Sequence, residues 1–323
     1  MKDLAGRLAV VTGGGSGMGR ELVRQLVAEG CSIAMCDVSG AGLAETKYLS
    51  GQVRLPQGTR ITSHIVDVTD EAAIERFRDE AAAQHETDKI HLLFNNAGVG
   101  GGGSMIKNER AEWDRVFDIC WGGVYRCTRV FLPMMLRADK GHIINTSSVN
   151  GFWAQIGNNI PQTAYAAAKF AVKGFSEALQ TDLRLNAPHI KCSVVMPGHI
   201  GTGIAANSRK LQSGNQSDVL NAHELRLARA RIASSGVDAS QMFDAEVEKT
   251  VRDRAKKFVE EAPMTAAEAA TVILDGVKAG RWRILVGKDA HRIDELVRAT
   301  PEKAYDTDFF ERFAAEVGWK IAR

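Results

Sequence analysis

A doubly wound α/β fold on a parallel sheet is predicted by three features of the chain. Short apolar runs recur along its 323 residues, and each is followed by a longer stretch of helical periodicity. The runs are apolar on both faces, as strands covered by helices on both sides must be. Residues 8–11 form the first run, which passes through a glycine turn into a helix at 19–29; residues 32–36 form the second strand. Further strands are predicted at 61–66, 91–94, 142–145, 191–196 and 283–286, seven in all, with long helices at 113–137 and 165–186.

The rhythm breaks at 203–262, which is charged and has no strand pattern. It reads as a helical insertion before the last strand, with helices at 219–232 and 239–261 and an apolar stripe of Val247, Val251 and Phe258. The chain is thus expected to be one domain, 1–323, carrying this insertion on the substrate side and a tail at 288–323. The tail is polar but ends in Phe309, Phe310, Phe313 and Trp319, which are expected to pack on the same subunit or on a neighbour.

A content of 45% apolar and 25% charged residues fits a globular chain with a large core. Forty-one basic side chains nearly cancel 39 acidic ones, so no broad field favours nucleic acid or an anionic membrane, and a small neutral ligand is expected. The first residues lead directly into strand pattern, without the apolar run of a signal peptide, and no run is long enough to span a bilayer. A cytoplasmic protein is expected. The five cysteines, Cys31, Cys36, Cys120, Cys127 and Cys192, contain no C-x-x-C pair, and the eight histidines have no ligand spacing, so buried thiols and no metal site are expected.

The first strand ends in Thr12-Gly13-Gly14-Gly15-Ser16-Gly17-Met18-Gly19, where small residues let backbone N–H groups approach a pyrophosphate at a helix N-terminus. The turn departs from G-x-G-x-x-G spacing and by itself fits an ordinary turn equally well. The second strand adds Asp37, 20 residues after Gly17, where a carboxylate can accept from adenosine ribose hydroxyls and repel a 2′-phosphate. NAD is therefore expected rather than NADP, with Val38, Asp67 and Val68 beside the adenine. The plainer reading of Asp37 is a turn residue before Ser39-Gly40.

Tyr165 and Lys169 are four residues apart in an alanine-rich helix, so they share a face. A nearby ammonium favours phenolate, which suits Tyr165 to acid/base work near neutrality. A Tyr and a Lys at this spacing also occur on ordinary helices. The complete set is more specific. Thr12-Gly13-x-x-x-Gly17-x-Gly19, Asn95-Asn96-Ala97-Gly98, Ser147-Ser148, Tyr165-x-x-x-Lys169 and Pro197-Gly198 follow successive strands. In order and context they resemble the short-chain dehydrogenase/reductase family, closely over 5–200 and more loosely over 263–287.

That resemblance implies a Rossmann-type fold and a hydride-transferring enzyme. Ser148 would hold the substrate oxygen, Tyr165 would be the acid/base, and Lys169 would bind the nicotinamide ribose and lower the tyrosine pKa. Gly13, Gly15, Ser16, Gly17, Met18 and Gly19 would cradle the dinucleotide, with Asn95, Ala97 and Gly98 supporting sheet and cofactor. Pro197, Gly198, Ile200 and Thr202 would cover the nicotinamide, Thr202 at its carboxamide and Ile200 against its ring; His199 reads as a partly exposed loop residue. Where the family has an asparagine at a helix distortion with a water-holding carbonyl, this chain has Cys120, followed closely by Gly122 and Gly123. The backbone carbonyl survives that exchange while the amide does not.

The loop 149–164, with Phe152, Trp153 and Ile156, is expected to line the pocket and to select a medium or large apolar alcohol or ketone. A homodimer or homotetramer through the two long helices is the family-based expectation. Two alternatives stand beside this reading: an NADP-dependent ketoreductase, and a nucleotide-binding regulatory or scaffold protein of the same fold, weakened in catalysis at Cys120.

Overall fold

The computed structural model describes residues 2–52, 55–157, 160–234 and 237–319. Parts of the expected loop (158–159), insertion (235–236) and tail (320–323) lie outside the described residues.

Five consecutive buried residues form β1 (Leu8–Thr12), and burial on both faces continues in β2 (Ser32–Asp37), β4 (Leu92–Asn95), β5 (Gly141–Thr146) and β6 (Ile190–Pro197). The edges are β3 (Ile61–Ile65) and β9 (Arg283–Val286), where burial is partial. All seven pair in parallel in the order β3-β2-β1-β4-β5-β6-β9. The expected doubly wound sheet is present, each strand within about a residue of its expected bounds. Its order reverses between β1 and β4, which opens a crevice beyond the strands' carboxyl ends.

One face is covered by α1 (Gly17–Ala28), α2 (Gly40–Ser50) and α10 (Ala266–Ala279), whose Leu22, Leu26, Leu43 and Ile273 join Val11, Ile33 and Phe94 in one core. The other face is covered by α3 (Glu71–His85), α4 (Arg110–Phe117), α5 (Gly123–Leu136) and α6 (Thr163–Asn186), with Phe77, Phe131 and Leu183 packed on Val10 and Ile143. The five cysteines are buried and free, as the scattered spacing implied.

The expected helix at 113–137 is continuous but changes character. Between α4 and α5 the chain winds one turn of π-helix, Asp118–Gly122, with Cys120 at its centre. Gly122 and Gly123 do more than permit this deformation. A β-carbon on Gly122 would meet Asp118 Oδ1 at 2.2 Å, and one on Gly123 would meet Val68 Cγ2 at 2.7 Å.

After β6 come β7 (Ile200–Gly201), α7 (Ile204–Ser213), α8 (Ala222–Ser234) and α9 (Asp244–Glu260); β8 (Met264–Thr265) then pairs with β7. Leu220, Ala228, Ile232, Ala239 and Val247 form a small core of their own, with Val251 against it. Phe258 leaves the expected stripe and packs on His199, ring centroids 4.5 Å apart.

The tail forms α11 (Lys288–Ala299) and α12 (Thr307–Val317). Its aromatic residues pack within this chain: Phe309, Phe310 and Phe313 surround Trp153, and Trp319 packs on Phe313. Trp153 is fully buried and donates from its indole to the Ala304 carbonyl at 2.8 Å. Phe152 packs against the same cluster and carries the Arg283 guanidinium over its ring. The expectation that these aromatics line the pocket is thus corrected: an indole gains more by burial among three aromatic rings than in an open cleft. Ile156 is half-buried.

Candidate active site

The glycine turn between β1 and α1 is held from beneath. Thr12 Oγ1 accepts from the Asn96 and Ala97 N–H groups, each at 3.0 Å, and the Asn96 amide donates to the Thr12 carbonyl at 3.2 Å. Gly13 and Gly17 adopt positive φ, and Gly19 stands so close to Gly13 that a β-carbon would lie 2.0 Å from its carbonyl oxygen. Ser16 caps α1 in extended backbone without a side-chain capping bond, so the first N–H groups of the helix face the crevice. Met18 is half-buried against the α1-side core.

Asp37 ends β2 beside this turn. Its Oδ2 accepts from Gly15 N–H at 2.9 Å and its Oδ1 from Ser39 N–H at 3.0 Å, which leaves each oxygen capacity for one more donor. Asp37 thus shapes the turn and still has free acceptor positions. Val38 is exposed beside it. Asp67 Oδ1 is taken up by Thr69, and Val68 is buried toward Gly123. A crevice with unsatisfied helix N–H groups, a sterically required glycine and a carboxylate one strand away fits a dinucleotide.

Sequence reasoning missed Arg20, which clamps this end. Its guanidinium donates to the Gly15 carbonyl and to Glu45 Oε2, each at 2.6 Å, and to Thr46 Oγ1 at 3.1 Å. The cation is thereby neutralised close to the turn. An arginine one residue after the last motif glycine was the available signal.

Asn95 supports the sheet, as one half of its expected role, but its side chain is turned away from the crevice. Its side chain is 2% exposed and faces the sheet interior, donating to Thr128 Oγ1 at 3.0 Å and Asn145 Oδ1 at 2.8 Å. Alternation along β4 turns it inward, where its amide braces β4 against β5 and α5. Ala97 and Gly98 do lie at the crevice.

Ser148, Tyr165 and Lys169 converge beyond β5. Ser147 Oγ donates to the Lys169 carbonyl at 2.7 Å, tying the strand end to α6. Ser148 is buried, accepts from Asn150 N–H at 3.1 Å and lies close enough to the Tyr165 phenol to influence its ionisation. Lys169 Nζ sits 5.5 Å from the Tyr165 ring centroid and donates to the Thr146 carbonyl at 2.8 Å. Burial pushes the phenol well above its ordinary pKa, with Ser148 pulling the other way, and burial lowers that of Lys169.

Cys120 is part of this cluster. Its thiol donates to the Val99 carbonyl at 3.3 Å and accepts from Val99 N–H at 3.5 Å, closing a pair of bonds across the π-turn. Gly98 borders both: a β-carbon there would lie 3.5 Å from Lys169 Nζ and 3.7 Å from Cys120 Sγ, ordinary contact distances.

The segment after β6 folds back over the turn. Gly198 N–H donates to the Val286 carbonyl at 2.9 Å from the end of β6, where Pro197 pairs with Val286. Ile200 is buried in the α10-side core, and Thr202 packs 3.3 Å from the position of a β-carbon on Gly17. His199, expected to be partly exposed, is 4% exposed. Its Nε2–H donates to the Phe258 carbonyl at 2.7 Å, and burial lowers its pKa. Packing by α9, distant in sequence, encloses it.

α7 bridges the crevice in two places that the sequence did not disclose. Ser208 Oγ accepts from Gly100 N–H at 2.8 Å and Gln212 donates to the Gly100 carbonyl, while Asn207 donates to Ser16 Oγ at 3.2 Å.

With this geometry in place, comparison with known proteins is informative. Residues 7–213 match the family model described as short chain dehydrogenase. The chain is 32% identical to SadH of Mycobacterium tuberculosis over 92% of each chain. It is 33% identical to levodione reductase of Leifsonia aquatica over 63% of this chain and 73% of that one. Among solved structures, a short chain dehydrogenase/reductase from Burkholderia phymatum in complex with NAD is 28% identical, with a TM-score of 0.73 over 94% of this chain and 95% of that chain.

Proposed function

We propose that this chain, which belongs to the short-chain dehydrogenase family, passes a hydride between NAD and a secondary alcohol/ketone pair of medium to large, apolar character. Oxidoreductase chemistry on CH–OH groups follows from the family; the cofactor choice, substrate class and residue roles are our reading. One observation carries it: a buried phenol beside a serine, flanked by a buried ammonium, lies beyond β5 next to a crevice shaped for a dinucleotide.

NAD, when bound, supplies the hydride acceptor and a positive ring. Ser148 holds the substrate oxygen, and Tyr165 takes the hydroxyl proton in oxidation or returns it in reduction. Lys169 stabilises the phenolate, offsetting the burial that keeps the phenol protonated. Asp37 offers its free lone pairs to ribose hydroxyls and opposes a 2′-phosphate, while Glu45 occupies the nearest cation, Arg20. The apolar character of the substrate is supported by Trp113 and Leu211, which pack with Tyr165 on one core.

We place the helices of 203–262 as the substrate-side cover of a single domain, with the tail as part of its core. We further infer a cytoplasmic homodimer or homotetramer through α5 and α6, supported by the exposure of Tyr125 and Phe170 on them. No described helix is long and apolar enough to cross a membrane. A panel of secondary alcohols and ketones, assayed by NADH and NADPH absorbance, tests the proposal. Turnover with NAD is expected, and Asp37→Ala should narrow the NAD-over-NADP preference about tenfold or more, the scale of one lost charge-assisted hydrogen bond. Equal use of both cofactors by the unaltered chain, or an unchanged preference in Asp37→Ala, would defeat the assignment of Asp37.

A further inference from the structure

Asp289 is a buried carboxylate outside the catalytic cluster. It lies in the first turn of α11, is 2% exposed and forms no ion pair among the described residues. Its charge is met by N–H groups instead. Oδ2 accepts from His199 N–H at 2.7 Å and from the Trp319 indole at 2.8 Å, and Oδ1 accepts from Ala290 N–H at 2.9 Å. A desolvated carboxylate is costly unless such donors surround it, so the arrangement constrains whatever supplies them.

Two of those donors lie far apart in sequence. His199 belongs to the segment that leaves β6, and Trp319 follows α12. The approach at Gly198 is so close that a β-carbon there would lie 2.3 Å from Asp289 Oδ2. The His199 ring is enclosed by Phe258 and by the edge of Trp319, at centroid distances of 4.5 and 6.3 Å. Three residues further on, Thr202 packs against Gly17 of the glycine turn.

We propose that Asp289 and Trp319 act as a clamp by which the C-terminal tail holds Gly198–Thr202 in its dinucleotide-binding position. The proposal rests on the NAD reading above, and Asp289 is a positioning residue, acting through His199. A segment fixed before binding does not have to be ordered during it, so the clamp strengthens dinucleotide binding by preorganisation. It acts on the cofactor's affinity and leaves Ser148 and Tyr165 in place.

The test compares Trp319→Phe, which keeps the ring and removes the N–H, with Asp289→Asn and with Ile293→Val. The last thins the same tail core without removing a bond of the clamp. NADH affinity is read by fluorescence titration, alongside KM for cofactor and for substrate and the melting temperature. Trp319→Phe and Asp289→Asn should each weaken NADH about five- to tenfold and raise cofactor KM, with substrate KM within about twofold of the unaltered chain. Ile293→Val should lower the melting temperature and leave NADH affinity unchanged. NADH affinities equal to that of the unaltered chain in both clamp variants, or an equal loss in Ile293→Val, would overturn the clamp. An unaltered chain that binds no NADH and oxidises no alcohol would overturn the functional reading beneath it.

Discussion

The catalytic floor and the helical cover of this protein are built by different means. On the floor, Ser147, Ser148, Lys169 and Cys120 are buried, and each is tied to backbone from a different element. The segment 203–262 has a five-residue core of its own, and it meets the rest of the chain through side-chain hydrogen bonds from α7, through Leu211 on the sheet-side core and through Phe258 against His199. The first region is built into the sheet, whereas the second keeps a separate small core, the kind of region expected to open locally first. On the proposed function, proton transfer would fall to the first and adaptation to substrate shape to the second.

The largest effect separating the two regions is expected at Tyr165. Tyr165→Phe keeps the ring and removes the proton carrier, so kcat should fall about 10²- to 10⁴-fold with NADH affinity retained, as measured by steady-state kinetics and titration. Next is Lys169→Met. Loss of the ammonium raises the phenol's pKa further, so the rising limb of the oxidation rate should shift to more alkaline pH; an unmoved limb would remove Lys169 from this role.

The cover should reveal itself by its acid sensitivity. Glu224 is buried, which by itself raises its pKa, but Asn215, Asn221, Ser213 and Arg209 hydrogen-bond its carboxylate and hold it at about 2 against an ordinary 4.5. A depressed folded-state pKa contributes stability above the unfolded value and loses it as pH falls toward the folded one. The contribution is thus complete above about 4.5 and disappears toward about 2. Hydrogen exchange over that range should show α7 and α8 opening before the sheet, and Glu224→Gln should flatten the dependence.

A smaller change is expected at Ser208. Ser208→Ala frees Gly100 and should raise substrate KM about two- to fivefold with kcat little changed, the scale of one hydrogen bond. The smallest separates two replacements on the floor. Cys120→Asn restores a strong donor and acceptor for Val99 and should leave the pH profile intact, whereas Cys120→Ala forfeits both bonds and should lower the melting temperature by a few degrees. Identical rates, pH profiles and melting temperatures in both would remove Cys120 from the site's support.

Local chemistry made much of this protein legible in its sequence. The seven strands follow from runs apolar on both faces, the glycine turn from small residues at a strand end, and the shared face of Tyr165 and Lys169 from helical spacing. These are short-range rules, and the chain obeys them whatever packs on it later. The sequence resisted wherever the deciding partner lay far along the chain. Trp153 was read as a pocket residue because its loop borders the site; only the tail, more than 150 residues away, turns it into core. His199 was read as partly exposed because loops usually are, and Phe258, Trp319 and Asp289 bury it. Asn95 sits in a motif at the crevice, yet its side chain faces Thr128 and Asn145, since the sheet rather than the motif sets its direction.

By itself, then, the sequence determined the doubly wound sheet, the order of its motifs and the residue types gathered at the crevice, because periodicity and turn chemistry act between near neighbours. Tertiary structure alone decided that the tail closes on Trp153, that a thiol joins the π-turn to Val99 in the loop after β4, and that Asp289 accepts from His199 beyond β6. Each of those contacts joins groups whose burial and hydrogen bonding exist only once distant elements have packed.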